Sequence, residues 1–415
     1  MTFFESVSQQ LSACVNTNRE DVNPADGDTI FGLPKPYSVP SPANCDGFHE
    51  MYYWDTYFTN LGLLAIGNIE QVRNNVYDLI ALIRRFGFVP NGSRRRYLHH
   101  SQPPFFAQMV KDLFDADGDK TFLADAYDAM KTEYTYWKEN RTFPNGLAHY
   151  GFPATDPELL QSRIKKWKTR TGCEPDADPV VNVGNFIGHC ESGWDCNPRW
   201  SAASYLYAPP DLNTLLWNLE ARLAEFAEIL QTGEAEFWRT AAEERSTTIR
   251  SFLWNPKAGY FADREAESGA FGTVFSAAAF YPLYFGLATE EEARETVKKL
   301  PLLEHRYGIA SCEGNNAPGH YQWGSVNVWP CIQQMVVQAL MRYGYREDAL
   351  RLVSKYVSLV ESTAERTGQL WEKYHADTGE VIGTHTEYQT PPMMGWTAGV
   401  YLCFKNLLCK AENSR

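Results

Sequence analysis

The sequence predicts an all-α fold, a closed six-hairpin (α/α)6 toroid. Three observations carry that prediction. Apolar residues recur at three- and four-residue steps over most of the 415 residues. The helices so marked come in successive pairs joined by short turns bearing Gly or Asp. Strand signals are sparse, and no repeat of fixed period points to an open solenoid instead. No Pro/Ser linker divides the chain, so one domain over 1–415 is expected, with 1–45 as an N-terminal extension packing on the barrel.

The first pair is expected at about 54–66 and 68–87. Its second helix puts Ile69, Val72, Val76, Leu79, Ile80 and Ile83 on one face and stops at Gly87. The next pair covers about 104–114 and 119–140. Pro103-Pro104 suits the opening of the first member, which carries Phe106, Met109, Val110 and Leu113. Leu123, Tyr127, Met130, Tyr134 and Trp137 mark the second in 4-3-4-3 steps. A lone helix near 157–168 follows. Leu212, Leu215, Leu216, Leu219, Leu223 and Phe226 open the pair 211–231 and 233–254. Further pairs are expected at 273–286 with 289–300 and at 328–343 with 346–363, then a last helix near 394–410. In such a ring the long loops at one end line a pocket. Here those are roughly 35–53, 88–103, 145–200, 303–328 and 364–393, which hold most of the Gly, Pro, Trp and His.

Charge narrows the partners. Asp plus Glu is 51 and Lys plus Arg 38, a net charge of -13, which argues against a nucleic-acid or anionic-membrane surface. No run of 18 apolar residues exists to span a bilayer. Trp, Tyr and Phe make up 14% of the chain, a share that suits a cleft for a small molecule with flat apolar faces and hydroxyls, such as a sugar. An aromatic-rich core is the other account of that number. The nine cysteines form no CxxC pair, and no GxGxxG or Walker loop appears, so neither a metal nor another cofactor is expected. The opening MTFFESVSQQ has no basic n-region or long apolar run, so the expectation is a cytoplasmic protein with free thiols, a monomer or weak homo-oligomer.

Four polar-aromatic clusters fall at loop-to-helix junctions: Asp46 to Asp55, Asn91 to Pro104, Glu191 to Trp200, and Trp371 to His375 followed by Glu387-Tyr388 and Gly395-Trp396-Thr397. Each sets a carboxylate or amide beside Trp or Tyr. Glycosidic cleavage needs two carboxyl groups, one protonating the leaving oxygen and one activating water or attacking directly. Aromatic surroundings raise a carboxyl pKa by desolvation. Asp195, after Gly193-Trp194, suits the acid; Glu372, between Trp371 and Lys373, suits the ionised base. A single Trp-Asp pair is more simply a capping carboxylate beside a core indole. Several such clusters together point to sugar chemistry.

These residues resemble the trehalases, glycoside hydrolase family 37. Gly47 to Asp55 is similar to the family's first signature, and Asn91-Gly92-x-Arg94 with Ser101-Gln102-Pro103-Pro104 resembles its second segment. Glu191 to Asp195 with Arg199-Trp200 resembles the acid motif, Asp211-Leu212-Asn213 the run after it, Glu372-Lys373-Tyr374 the base segment, and Glu387-Tyr388 with Gly395-Trp396-Thr397 the closing motif. The resemblance spans about 45–405 in motif order. It implies an (α/α)6 toroid and inverting hydrolysis of a small α-linked disaccharide or glycoside, with Asp195 as general acid and Glu372 as general base. It implies sugar-binding positions at Phe48, Tyr52, Trp54, Asp55, Asn91 and Gln102. His100, Gly193, Trp323, Glu387 and Trp396 complete the expected substrate-binding set.

There are departures. Gly47 and His100 stand where trehalases carry Arg, the family's Arg-Pro-x-Glu segment is not recognisable in 145–190, and Gln322 to Trp329 keeps little of its Gln-Trp-Asp motif. A guanidinium fixes hydroxyl pairs in ways Gly and His do not. The substrate is therefore open, and Trp329-Pro330 leans toward family 63, which includes α-glucosidases and glucosylglycerate and mannosylglycerate hydrolases. Arg94, Arg95 and Arg96 suit an anionic aglycone, although a solvated basic turn accounts for at least two of them. Asp115 to Asp119 reads as a polar turn with Asp119 capping the next helix, not a calcium loop. Glu191 is expected to orient backbone or substrate, and Glu387 is the rival to Glu372 as base. A sugar epimerase using His49, His100 or His375, and a non-catalytic sugar-binding protein, are the readings from other classes.

Overall fold

The computed structural model describes every residue except 26, 44, 46, 162, 165–177, 201–202, 315–320, 382–389 and 413–415. Its order begins with α1 (Phe3–Ala13), α2 (Tyr53–Ala65), α3 (Ile69–Phe86), α4 (Phe106–Asp117), α5 (Lys120–Asn140) and α6 (Pro179–Glu191). It continues with α7 (Pro210–Leu230), α8 (Ala235–Leu253), α9 (Tyr281–Phe285), α10 (Glu290–Val297), α11 (Pro330–Arg342), α12 (Arg346–Thr367) and α13 (Gly395–Glu412).

Packing sorts twelve of these into two rings. The inner helices run α2, α4, α7, α9, α11 and α13, each against the next, and α13 returns to α2 to close the circle. Outside them lie α3, α5, α8, α10 and α12, with α1 against α13 and α2 in the sixth outer place. The residue patterns agree with position. In α2, Tyr53 to Asn60 are all buried, as an inner helix surrounded on every side requires. α3 buries only a stripe that includes Val72, Val76, Leu79, Ile80 and Ile83.

Local chemistry sets the ends. Thr2 and Glu5 form a capping box on α1. Asn68 accepts from Gln71 N at the start of α3, and Gly87 closes that helix with φ 82°. Asp119 caps α5 by accepting from Thr121 N and Phe122 N at 2.9 and 3.2 Å. The ring closure rests on a glycine pair: a Cβ on Gly62 of α2 would overlap Gly399 Cα of α13, and one on Gly399 would overlap Phe58 O.

Some boundaries differ from expectation. The helix expected at 273–286 is a 3-10 turn, Ala277–Phe280, followed by the short α9. Ser276 upstream is held in an extended bridge to Cys312, and Pro282 opens α9, where its missing N–H does no harm. The helix near 157–168 is present over 157–161 and 163–164, its remainder lying outside the described residues. α6 was not expected at all.

Among the described residues, four two-stranded antiparallel pairs tie the loops. One joins Val15–Asn16 to Tyr37–Ser38, and another joins Asn327–Val328, just before α11, to Tyr374–His375, just after Glu372. No helix among the described residues is long and apolar enough to cross a membrane.

Candidate active site

The helices α2, α11 and α13 begin at one end of the barrel, and their first residues line a cleft. Trp54 and Asp55 come from the first turn of α2, Trp329 caps α11, and Trp396 is the second residue of α13. The cleft encloses about 780 Å³, part of it open to solvent. Phe48, Tyr52, Asn91, His100, Gln102, Gly193, Asp195, Trp323 and Glu372 line it with them. Every expected site residue is thus brought together except Glu387, which lies outside the described residues.

Backbone bonds lock the first two sequence clusters. Tyr53 N donates to Asn91 O at 3.1 Å, Trp54 N to Gln102 Oε1 at 3.1 Å, and Asn91 N to His100 O at 3.0 Å. Asn91 Nδ2 reaches Cys190 O at 3.2 Å, joining them to the end of α6. Tyr52 pairs its hydroxyl with that of Tyr97 at 3.1 Å, inside the same wall.

The Asp195 loop is fixed from several directions. Gly193 takes φ 73°, and a Cβ there would come within 2.7 Å of the Trp54 indole, so only glycine fits. Cys196 is also left-handed at φ 53°. Asn197 Nδ2 donates to Trp194 O at 2.6 Å, and Trp323 N to Cys196 O at 3.3 Å. Arg199, buried among Trp194 and Trp200, forks onto Asp211 (2.6 and 3.1 Å) and Asp263 (2.8 and 3.1 Å). Glu191 does what the sequence suggested. Its buried carboxylate accepts from Ser101 N (3.0 Å), Gly151 N (2.7 Å) and Arg141 (2.8 and 3.1 Å), anchoring backbone and not facing the cleft.

Glu372 is placed by its own backbone. Its N–H donates to Pro391 O at 3.2 Å, and its carbonyl accepts from Trp396 Nε1 at 3.1 Å. Its Oε2 pairs with the Lys373 ammonium, which lies 4.8 Å from the Trp329 ring centroid. Trp323 and Trp329 stack at 3.8 Å, Trp194 stacks on Trp323 at 6.0 Å, and Trp54 and Trp396 close on the same group.

Asp55 sits between the two assigned carboxyls electrostatically. Burial, then the charge of Glu372 and also that of Asp195, push its carboxyl up to about 8, so it holds a proton at neutral pH. His100 is 1% exposed with neither ring nitrogen paired, and burial with the nearby Arg163 guanidinium drives its pKa far down. It is a neutral imidazole against the cleft.

The sequence reading missed Tyr97, Arg163, Phe186, Cys190, Trp329 and Met393 as cleft residues. Arg163 brings a buried guanidinium, the group absent at Gly47 and His100, and donates to Arg96 O at 3.0 Å. Phe186 and Cys190 belong to α6, whose two glycines, Gly184 and Gly188, and high apolar share blur its helical period. Trp329, directly before Pro330 at a helix start, was the legible signal.

At least two arginines of the basic turn were expected to take no part in aglycone binding, and two are engaged elsewhere, by ion pairs and not by solvent alone. Arg94 pairs with Glu50 at 2.6 Å and Asp28 at 3.0 Å, and Arg96 also pairs with Asp28, so these two are engaged away from any aglycone. Of the three histidines an epimerase would use, His49 is bonded to Cys45 O at 2.9 Å and His375 accepts from Asp377 N at 3.1 Å, and neither lines the cleft. Among the described residues no group of three His, Cys, Asp or Glu is placed to hold a metal ion.

Comparison with known proteins then bears on the whole chain. The family profile described as Trehalase matches residues 3–408. A periplasmic trehalase of Xanthomonas oryzae pv. oryzae is 32% identical over 401 residues, 91% of this chain and 69% of its own length. A periplasmic trehalase of Escherichia coli is 30% identical over 420 residues, 95% of this chain and 72% of its own. The neutral trehalase of Saccharomyces cerevisiae superposes with a TM-score of 0.73 at 25% identity, covering 97% of this chain and 79% of its own. The family 63 mannosylglycerate hydrolase of Thermus thermophilus shares the fold, with a TM-score of 0.68 at 17% identity over 98% of this chain and 100% of its own. The cytoplasmic placement expected from the sequence is overturned by the curated relatives, which are named periplasmic. The ring of helices, the cleft and these likenesses agree: the chain is a glycoside hydrolase and belongs to the trehalase family.

Proposed function

We propose that this chain hydrolyses a small α-linked disaccharide or glycoside of the trehalose type with inversion, Asp195 acting as general acid and Glu372 as general base. The observation that carries the reading is that both carboxyls line one aromatic cleft with the sugar-binding positions inferred from the family, while Asp55 feels the charge of each. Asp195 gives its proton to the glycosidic oxygen as the bond from the anomeric carbon breaks. Glu372 takes a proton from the water whose oxygen forms the new bond on the opposite face, so an α-glycoside releases a β-sugar. Trp54, Trp323 and Trp396 offer apolar faces to the sugar ring, and Asn91 and Gln102 offer amides, partly committed to backbone. Neutral Asp55 donates a hydrogen bond to a sugar hydroxyl. A periplasmic site of action is carried over from the relatives.

Proton NMR during turnover tests the stereochemistry, with the β-anomer expected first. Screening trehalose, glucosylglycerate, mannosylglycerate, sucrose and kojibiose identifies the substrate, and α-anomer released first would sink the assignment. The epimerase reading is the weaker one, because His100 alone of its three histidines borders the cleft and is held neutral there.

A further inference from the structure

The other end of the barrel holds a second cavity of about 1520 Å³, also open to solvent. Its walls are the last turns of the same inner helices whose first turns form the cleft: Leu64 of α2, Gln338 and Arg342 of α11, and Asn406 and Lys410 of α13. A barrel end that only packs would close over aliphatic side chains. This one is polar where burial makes polarity costly. Gln334, Gln338 and Arg342 stand one turn apart on one face of α11. Gln334 is 3% exposed, lines the cavity, and its Oε1 accepts no hydrogen bond. An unsatisfied buried amide oxygen costs about 1–3 kcal/mol, so the side chain is placed for something that donates to it.

The surrounding chemistry selects the ligand class. Asp112 accepts from Gln108 Nε2 at 2.8 Å, and burial pushes its carboxyl up to about 7, so near neutrality it both donates and accepts. Arg342 spends its Nε on Tyr284 O at 2.8 Å. Two cations against one half-protonated carboxyl leave the walls mildly positive, but the amides and hydroxyls, Gln108, Gln334, Gln338, Asn406, Tyr57 and Tyr284, outnumber these charges, which favours a ligand rich in hydroxyls. Tyr284 and Phe285 add flat apolar faces beside these donors and acceptors.

We propose that this cavity is a second binding site for a neutral polyhydroxylated molecule of monosaccharide size, the class of product that a glycosidase releases. It does not depend on which residues in the cleft do the chemistry. Glucose is the probe. Equilibrium dialysis with labelled glucose reports all bound sugar, whereas tryptophan emission reports the cleft, because among the described residues four indoles line the cleft and none lines this cavity. The expected result is a binding class seen by dialysis and silent in emission. It should be lost in Gln334→Leu and in Gln338→Leu, the second lying at a half-buried position that tolerates Leu, while hydrolysis and the emission response persist. Dialysis and emission reporting one and the same binding class, or an emission-silent class unchanged in both variants, overturns the proposal. Loss of the emission response alone would fault the cleft assignment and not this one.

Discussion

Arg141 grips Glu191 through two nitrogens, at 2.8 and 3.1 Å, with both side chains out of water and Asp195 only four residues further on. The pair joins the end of α6 to the loop after α5 and, through Ser101 and Gly151, to two more loops of the cleft rim. Removing one partner of such a buried pair leaves a charge uncompensated and costs about 3–5 kcal/mol. Glu191→Ala is expected to unfold at clearly lower urea than the parent, with Glu191→Gln intermediate because the amide oxygen still accepts. Equal denaturation midpoints for all three would show that the pair does not hold the rim.

Asp195→Asn and Glu372→Gln remove one proton-handling group each without changing shape. General acid and base catalysis contributes about 10²- to 10⁴-fold, so kcat should fall by at least that much in each. Substrate should still quench the emission of the cleft tryptophans. Full turnover in either variant would remove that residue from the mechanism.

Asp55 couples activity to a stability cost. Its folded-state value of about 8 lies above the unfolded value near 3.9, so the folded protein binds the extra proton between these pH values. Stability contributed by that proton is present at low pH, declines as pH rises through the window, and is gone above about pH 8. Asp55→Asn, which needs no proton, should therefore melt at least about 2 °C above the parent at pH 8.5 and show little difference at pH 4. Its amide still donates to a sugar hydroxyl, so hydrolysis should persist, at a rate lowered by the altered geometry. A constant offset across pH would mean that Asp55 ionises normally in the cleft.

Gly193→Ala tests fit where chemistry is untouched. The added Cβ meets the Trp54 indole at 2.7 Å, and the left-handed backbone resists any side chain. Strain of about 1–3 kcal/mol is expected, together with at least a tenfold drop in kcat/KM as Trp54 or the Asp195 loop shifts. Unchanged kinetics would show that the loop yields without disturbing the carboxyl.

Much of this was legible from residue order, for identifiable reasons. The hairpins α4–α5, α7–α8 and α11–α12 announced themselves because outer helices keep a polar face, and α3 did so as plainly. α6 escaped because its polar stripe, Asn182, Asn185 and His189, is short, and Gly184 and Gly188 weaken the helix signal. Several cleft positions were legible because aromatic residues at helix starts adjoin Gly or carboxylates, as Trp54 and Trp396 do. Arg163 escaped because nothing in its local spacing marks it; only the fold carries it to His100. The ion pairs of Arg94 and Arg96 were not legible because their partners, Asp28 and Glu50, lie more than 40 residues upstream.

The closing contact of the ring, where Gly62 meets Gly399, bears on how the enzyme comes into being. On the ribosome, α2 emerges with a face that no later element covers until the final helix is made, and Trp396 reaches the cleft only with it. A growing chain can assemble its middle hairpins early, since these are local. Its hydrolytic centre arises only once α13 has been made, all at once, so nascent chains arrested before residue 395 should carry formed hairpins and no activity.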